Sequence, residues 1–277
     1  MSADEKISRA AMRDMQSEKD TRGVPLQKVG VKGLHYPVTV LDKINKTQNT
    51  TATVDLFVDL PADCKGTHMS RFIEVFHKYR FDISMHRFLD MLDEIRSTLC
   101  AARAYGTVSF PFFIEKSAPV TGTKSMMRYT CAYEGSVGKD ERDFFVSISV
   151  PVATLCPCSK AISEYGAHNQ RGTVSVKLLY SDFFWIEDVI AAVENASSGG
   201  LYAALKRRDE KWVTEHAYDN PRFAEDIVRE TYLALRSFQI SKPFAWFSVE
   251  AENYESIHNH NAYACAEYGS QTEYKKN

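Results

Sequence analysis

The sequence predicts an α+β protein built from two successive units, each with the element order β-β-α-α-β-β. Two observations carry this prediction. Residues 50–60 and 172–180 alternate apolar and polar side chains, which is the period of a half-buried strand. Residues 182–195 and 221–238 instead repeat their apolar side chains at helical spacing. The two units are not alike in sequence, so the predicted repeat is one of architecture alone.

This pattern divides the chain into a polar N-terminal segment at residues 1–30, a first unit at residues 31–137 and a second unit at residues 138–277. In the first unit, Pro61 ends a strand and Gly106 ends a helix, as residues that interrupt regular structure do. The predicted elements of the first unit are strands at residues 35–41 and 50–60, helices near residues 72–76 and at 85–99, and strands at residues 107–115 and 124–133.

The second unit has a long connection between its first two strands. Its last helix carries a start signal: Asn220 is a good N-cap, Pro221 suits the first helical position, and acidic residues follow in the early turns. We therefore expect that helix to begin at Pro221. The predicted elements are strands at residues 143–153 and 172–180, helices at 182–195 and 221–238, and strands at 244–250 and 262–268.

Composition and charge exclude several classes of protein. The 277 residues include 34 basic and 36 acidic side chains. This balance leaves no excess of positive charge for binding the phosphate backbone of a nucleic acid. No apolar run approaches the about 18 residues of a membrane span, and the charged N-terminus lacks the apolar stretch of a signal peptide. The six scattered cysteines do not form a disulfide pattern. We expect a cytoplasmic protein with reduced thiols that binds neither nucleic acid nor membrane.

Residues 151–172, PVATLCPCSKAISEYGAHNQRG, concentrate the side chains best suited to chemistry. Cys156 and Cys158 flank Pro157, and His168 follows ten positions after the second cysteine. Thiolate and imidazole are donors that zinc and late first-row metal ions prefer. Taken singly, cysteines are often only small buried hydrophobes, and the C-x-C spacing does not match a closed structural zinc site. One cysteine binding metal while the other does chemistry is as well supported as two ligands.

The same segment resembles the signature of the type IB GTP cyclohydrolases, the prokaryotic alternative to the widespread type IA enzyme. Three further stretches resemble this family in the same order: KGTHMSRFIE at 65–74, LKRRDEKWVTEHAYDNPRFAEDIVR at 205–229 and ESIHNHNAY at 255–263. The resemblance implies the tunnelling fold, with antiparallel sheets, helices on the outer face and two β-β-α-α-β-β modules in one chain. It also implies a homo-oligomer, namely a homotetramer, with active sites between modules.

The reaction implied by the resemblance is hydrolysis of GTP to formate and 7,8-dihydroneopterin triphosphate, the first step of tetrahydrofolate biosynthesis. Water must become nucleophilic near neutral pH, and a bound divalent metal ion achieves this by lowering the pKa of its water. Cys156 and His168 are the first candidate ligands, and the match to the family's motif adds Glu210. An acid within KRRDEK is otherwise most simply a solvated residue. The mixed ligand set leaves manganese, zinc and iron open.

Proton transfer needs a group that titrates near the operating pH, for which histidine is the usual choice. The ESIHNHNAY stretch offers His258 and His260, and residues two apart on an extended strand face the same side. We favour His258 as the acid/base, although which of the two histidines acts stays open. Cys158 would lie beside it to orient a water or relay a proton, and Cys156 is counted with these catalytic candidates.

The substrate also needs anchors. A carboxylate can accept from N1 and the 2-amino group of guanine together, and the resemblance points to Glu225 for this role, with Glu215 and Glu250 less favoured. The sequence contains no P-loop or G-x-G-x-x-G motif. His68 and Arg71, where a helix is predicted to begin, are the candidates for binding the triphosphate. Further candidates are Lys65, Ser70, Lys160, Arg171, Lys206 and Arg207.

Other functions were weighed against this one. A close variant is the archaeal-type cyclohydrolase, which yields a cyclic phosphate product. A second hypothesis keeps the fold but changes the chemistry to a nitrile reductase that uses NADPH and a nucleophilic cysteine. A third is a protein that binds metal or nucleotide without turnover. The C-P-C segment argues against the reductase, and the paired histidines together with the full motif set argue against a protein without turnover.

Overall fold

A computed structural model describes residues 14–269, apart from the side chain of His86. The predictions for residues 1–13 and 270–277 lie outside the described residues. The strands are β1 (Leu26–Asp42), β2 (Lys46–Leu60), β3 (Ala104–Ser117), β4 (Lys124–Val137), β5 (Arg142–Leu155), β6 (Asn169–Leu179), β7 (Gly199–Gly200), β8 (Phe247–Asn253) and β9 (Ala262–Tyr268). The helices are α1 (Met69–Tyr79), α2 (Met85–Thr98), α3 (Pro157–Ile162), α4 (Ile186–Ala196), α5 (Arg207–Asp219) and α6 (Ala224–Arg236), and a 3-10 helix spans Met15–Ser17.

The strands form one antiparallel sheet with the order β1-β2-β3-β4-β5-β6-β8-β9, and the short β7 pairs with β5. We refer to β1–β4 with α1 and α2 as the first half, and to β5–β9 with α3–α6 as the second half. β4 and β5 join the halves directly, with Val137 opposite Arg142 and Thr130 opposite Ser149. Each half begins and ends with a pair of strands that enclose helices, which confirms the predicted α+β architecture.

The core lies between one face of the sheet and the helices. Along β5, Val146, Ile148 and Val150 are buried, whereas the alternate residues Ser147 and Ser149 are only half-buried. α2 packs on β3 and β4, α4 packs on β5, and α6 packs on β8 and β9. The opposite face of the sheet is more polar, although it also carries Phe57, Tyr105 and Phe145. Within residues 14–269, no helix is long and apolar enough to cross a membrane.

The start of the last helix differs from the prediction. Asn220 is the C-cap of α5, a helix that the periodicity did not reveal, and α6 begins only at Ala224. The reason is tertiary, because the Arg222 N–H donates to the carbonyl oxygen of Leu155 at 3.1 Å. The chain between the two helices is thus extended against the end of β5. β1 also begins at Leu26, before the predicted start of the first unit at residue 31.

Candidate functional site

The connection from β5 to β6 folds into a closed loop. Leu155 and Asn169 are paired at the end of the two strands. One step beyond them, the Cys156 N–H donates to the carbonyl oxygen of His168 at 3.1 Å. The antiparallel ladder therefore places the cysteine and the histidine side by side, although they are distant in sequence. Residues 156–168 are called the β5–β6 connection below.

Cys156 is the N-cap of α3, and Pro157 occupies the first turn of that helix. Its Sγ accepts a hydrogen bond from the Ser159 N–H at 3.4 Å. The Ser159 hydroxyl donates to the Cys156 carbonyl oxygen at 3.2 Å and accepts from the His168 N–H at 3.2 Å. Ser159 thus ties both ends of the connection together. The Ser159 backbone N–H therefore fixes the direction of the Cys156 side chain.

The second cysteine has a different environment. Cys158 lies within α3 and is exposed, whereas Cys156 is partly buried. By contrast, Cys131 in β4 is fully buried, and burial raises the pKa of its thiol. Cys131 is therefore an inert core residue. The difference between Cys156 and Cys158 favours separate roles for the two.

His168 is held in one orientation by its neighbours. Its Nδ1 lies 2.9 Å from Oε1 of Gln170 and 3.8 Å from a carboxylate oxygen of Glu255. The Gln170 amide donates through Nε2 to the Thr154 hydroxyl at 2.9 Å, so its oxygen must face the imidazole. This network assigns the proton to Nδ1 and leaves the lone pair on Nε2, which is the tautomer of a metal-ligating histidine.

The third candidate ligand is not gathered with the first two. Glu210 lies exposed in the first turn of α5. Among residues 14–269, no group of three or more His, Cys, Asp or Glu side chains is close enough together to hold a metal ion. The donor chemistry of Cys156 and His168 fits a divalent metal, with a sulfur acceptor and a free Nε2. The chain as folded brings together two of the three expected ligands.

The two histidines of the ESIHNHNAY stretch lie between two strands, as the predicted strand bounds imply, so the same-side geometry of an extended strand does not apply to them. β8 ends at Asn253 and β9 begins at Ala262, where the ladder closes. His258 and His260 therefore lie in the exposed loop between them, but their rings stack at 5.0 Å with an interplanar angle of 18°. Glu255 belongs to the same loop, so its approach to His168 brings this loop next to the β5–β6 connection.

The candidates for guanine recognition lie on different surfaces. Glu225 is exposed in the first turn of α6, shortly after the contact of that segment with Leu155. Glu215 forms an ion pair with Lys211 on α5. Glu250 lies on the polar face of the sheet beside Tyr263, and burial and the nearby Glu250 and Cys265 raise the pKa of Tyr263 to about 12. The segment that leads to Glu225 contacts the end of β5 through the hydrogen bond from the Arg222 N–H to the Leu155 carbonyl oxygen.

The favoured candidates for the triphosphate, His68 and Arg71, form a cluster with Lys65 at the start of α1, whereas the further candidate Lys160 lies within the β5–β6 connection. As predicted, a helix begins here, with His68 as the N-cap of α1. The His68 Nε2 lies 3.3 Å from the Asp14 carboxylate, and Lys65 pairs with Glu18 at 2.9 Å. Arg71 donates to the carbonyl oxygen of Thr98. In the described part of the chain, no hydrogen bond or ion pair joins this cluster to the β5–β6 connection.

Sequence reasoning missed three residues that build the site: Ser159, Gln170 and Glu255. Gln170 follows His168 by two positions on the start of β6, so strand periodicity would have placed both side chains on the same face. Ser159 lies three residues after Cys156, which is the spacing of an N-cap contact. Nothing in the sequence indicated that Glu255 would approach His168 from another loop.

Comparisons with known proteins agree with this architecture. A family model described as type I GTP cyclohydrolase folE2 matches residues 12–264. A protein of Fervidobacterium nodosum, named GTP cyclohydrolase FolE2, is 50% identical over 254 residues, which cover 92% of this chain and 96% of the relative. Another of the same name from Syntrophus aciditrophicus is 51% identical over 256 residues, which cover 92% of this chain and 99% of the relative.

The fold is also found among solved structures. Uricase from Arthrobacter globiformis superposes with a TM-score of 0.50 and 8% sequence identity, over 88% of this chain and 94% of that chain. At this identity the likeness concerns the fold alone, which is the tunnelling fold. The comparisons lend no support to a nitrile reductase. The match of the family model to most of the chain, together with relatives of about half identical sequence, shows that the chain belongs to the type I GTP cyclohydrolase FolE2 family.

Proposed function

We propose that the chain hydrolyses GTP to formate and 7,8-dihydroneopterin triphosphate, the first step of tetrahydrofolate biosynthesis, with the help of a divalent metal ion. The observation that carries this proposal is the juxtaposition of Cys156 and His168 at the β5–β6 connection of a chain of this family. Water must add to C8 of the guanine ring, and formate is released after the ring opens. A cytoplasmic location, where thiols stay reduced, belongs to the same proposal.

Cys156, His168 and Glu210 would hold the metal ion. A bound manganese, zinc or iron ion would supply a water of lowered pKa at this site. The chain's own contribution is to present the donors: Ser159 directs its N–H at the Cys156 sulfur, and Gln170 keeps the His168 Nε2 free. Glu210 comes from α5, which packs against β5.

His258 would move the proton that opens the ring, and Cys158 would orient a water beside it. Both side chains are exposed, Cys158 in the β5–β6 connection and His258 in the β8–β9 loop, and Glu255 of that loop approaches His168. The stacking of His260 on His258 supports an orienting role for His260. Glu225 would accept the N1 and 2-amino hydrogens of guanine, as a charge-assisted pair.

The triphosphate anchors belong to the first half, since His68 and Arg71 lie on α1. A homotetramer would supply them from a second copy of the chain to each site. Mixing two inactive variants tests this: Cys156→Ala, and the double variant His68→Ala with Arg71→Ala. Recovery of activity after mixing and subunit exchange would support a shared site. A monomer in light scattering, or no recovery after proven exchange, would contradict it.

The central test starts from metal-stripped protein incubated with GTP, with manganese, zinc or iron added in separate samples. We expect metal-dependent release of formate together with the fluorescence of the oxidised pterin, and mass spectrometry of the product separates the linear from the cyclic phosphate. Cys156→Ala and His168→Ala should lose both bound metal and formate release. Cys100→Ala, which removes an exposed thiol at the end of α2, serves as the matched control. No formate with any metal would refute the proposed reaction.

A further inference from the structure

Asp209 is a charged side chain with no exposed surface, and it lies next to Glu210 in the first turn of α5. Its Oδ1 accepts from the N–H groups of Val120 and Thr121 at 2.9 and 2.8 Å. Its Oδ2 accepts from the Thr121 hydroxyl at 2.6 Å and from the Lys206 N–H at 2.9 Å. A buried carboxylate is stable only when it is satisfied in this way.

The donors come from two separate regions. Lys206 is the N-cap of α5, so its contact stabilises the start of the helix. Val120 and Thr121 belong to the turn between β3 and β4 in the first half, and Gly122 makes this turn possible with a φ of +69°. The Asp209 carboxylate thus fastens the start of α5, in the second half, to a turn of the first half.

A metal-binding role for Asp209 itself is excluded by this geometry, because both oxygens are already occupied by donors. The carboxylate of Glu210, one residue on, accepts no hydrogen bond and makes no ion pair within residues 14–269. The adjacent carboxylates of Asp209 and Glu210 therefore have different environments. Asp209 is fixed inside the protein, and Glu210 is exposed at its surface.

The segment before α5 is held at its other end as well. Lys116 of β3 donates to the carbonyl oxygen of Leu201 at 2.9 Å and to both oxygens of Glu194 at 2.9 Å. The chain from Leu201 to Asp209 is therefore tied to the first half at its beginning and at its end. The helix itself packs on β5 and β7, both of the second half.

We propose that Asp209 is a positioning residue for the metal site: by tying the start of α5 to the β3–β4 turn, it sets the place of Glu210 relative to Cys156 and His168. This inference rests on the proposed role of Glu210 as a ligand. It assigns to the first half a contribution to a metal site whose proposed ligands all belong to the second half.

The test measures manganese binding to metal-stripped protein by equilibrium dialysis, with thermal unfolding followed in parallel. Asp209→Asn replaces one acceptor oxygen by an N–H₂ group that opposes the Lys206 N–H. We expect manganese affinity to fall about 10- to 100-fold, as for other partners that orient metal ligands, and the lost activity to return at high manganese. Thr121→Val removes the hydroxyl, which also contacts Thr123, but keeps the Thr121 N–H that donates to Asp209. It should fold normally and weaken manganese binding less, in the same direction.

Asp59→Asn is the matched control, because the Asp59 carboxylate also accepts a backbone N–H, that of Arg103 at 2.6 Å, but within the first half. It should leave manganese affinity unchanged. If Asp209→Asn and Thr121→Val lower thermal stability but not metal affinity, the inference is overturned and Asp209 is only structural. Glu210→Gln distinguishes the ligand role of Glu210 from the positioning role of Asp209. If Glu210→Gln retains its manganese affinity, the ligand role is refuted. If Glu210→Gln loses manganese affinity while Asp209→Asn binds manganese normally, only the positioning role is refuted.

Discussion

The two halves of the sheet use the end of their first strand in different ways. In the first half, residues 43–45 alone join β1 to β2, and Asp42 accepts from the N–H groups of Ile44 and Asn45 at 2.9 and 2.6 Å. In the second half, residues 156–168 join β5 to β6, and Cys156 accepts from the Ser159 N–H through its sulfur. The last residue of β1 is a carboxylate that closes a turn, whereas the residue that follows β5 is a thiol beside a histidine.

The difference between the β1–β2 turn and the β5–β6 connection shows how the same strand arrangement can end in a structural turn or in a candidate metal site. The short turn of the first half satisfies its own backbone groups through Asp42. The longer connection of the second half uses Ser159 for the same purpose, and it places a partly buried thiol next to a partly buried imidazole. The additional helix α5 is also confined to the second half, where it carries Glu210.

The largest expected effect comes from replacing Cys156 and, for comparison, Asp42 with alanine. Cys156→Ala should remove the bound metal and lower formate release by more than about 100-fold, since changes to the partners of metal ligands alone cost about 10- to 100-fold. Asp42→Ala should retain the metal but lower the free energy of unfolding by about 1–3 kcal/mol, because two N–H groups lose their acceptor. Metal analysis and urea unfolding measure both. Equal metal loss in the two variants would contradict the comparison.

The next effect separates proton transfer from metal binding. His258→Ala should retain its metal while kcat falls by about 10²- to 10⁴-fold, the usual contribution of a general acid or base. His260→Ala, its stacked neighbour, is the matched control and should lower kcat less. Steady-state kinetics with metal analysis of the same samples decides between them. A greater loss in the His260 variant would reverse the assignment.

A smaller effect tests the orientation of His168. Gln170→Leu removes the acceptor at Nδ1, so manganese affinity should fall about 10- to 100-fold. Gln170→Glu keeps an acceptor oxygen at that position and should bind manganese more tightly than the leucine variant. Equilibrium dialysis of the two proteins gives the answer. Identical affinities would mean that Gln170 does not orient the imidazole.

The smallest effect concerns the stability of a contact between the halves, where α4 meets the β1–β2 turn. Glu187 of α4 accepts the Lys43 N–H at 2.7 Å through Oε1, while its buried Oε2 has no partner. Burial raises the pKa of the Glu187 carboxyl, and the nearby Asp42 and Asp188 add to the rise, whereas the hydrogen bond from Lys43 opposes it. The folded state therefore favours the protonated form.

Because its folded pKa is raised, Glu187 contributes most to stability below the ordinary glutamate pKa of about 4.3, and that contribution is lost as the pH rises through the folded value. Glu187→Gln should thus stabilise the protein at neutral pH and flatten this part of the stability profile. Thermal unfolding between acid and neutral pH measures it, with Asp188→Asn as the exposed neighbouring control. A lower stability of the Glu187 variant at neutral pH would contradict the prediction.

Much of the fold was predictable because its signals are local. Alternation along β2 and β6 and the apolar face of α4 reflect burial on one side of a strand or helix, which repeats every few residues. The C-P-C segment and His168 were also identified from sequence. The start of α6 was not, because Arg222 bonds to Leu155 across the fold and overrides a good local start signal at Asn220.

By itself, the sequence determined most of the element types and the family, since both depend on patterns within short windows or along the whole chain. The tertiary structure alone decided which residues meet. The β5–β6 register brings Cys156 to His168, Glu255 approaches the imidazole from another loop, and Asp209 ties α5 to a turn of the first half. These contacts depend on hydrogen bonds between residues far apart in the chain, and no local periodicity encodes them.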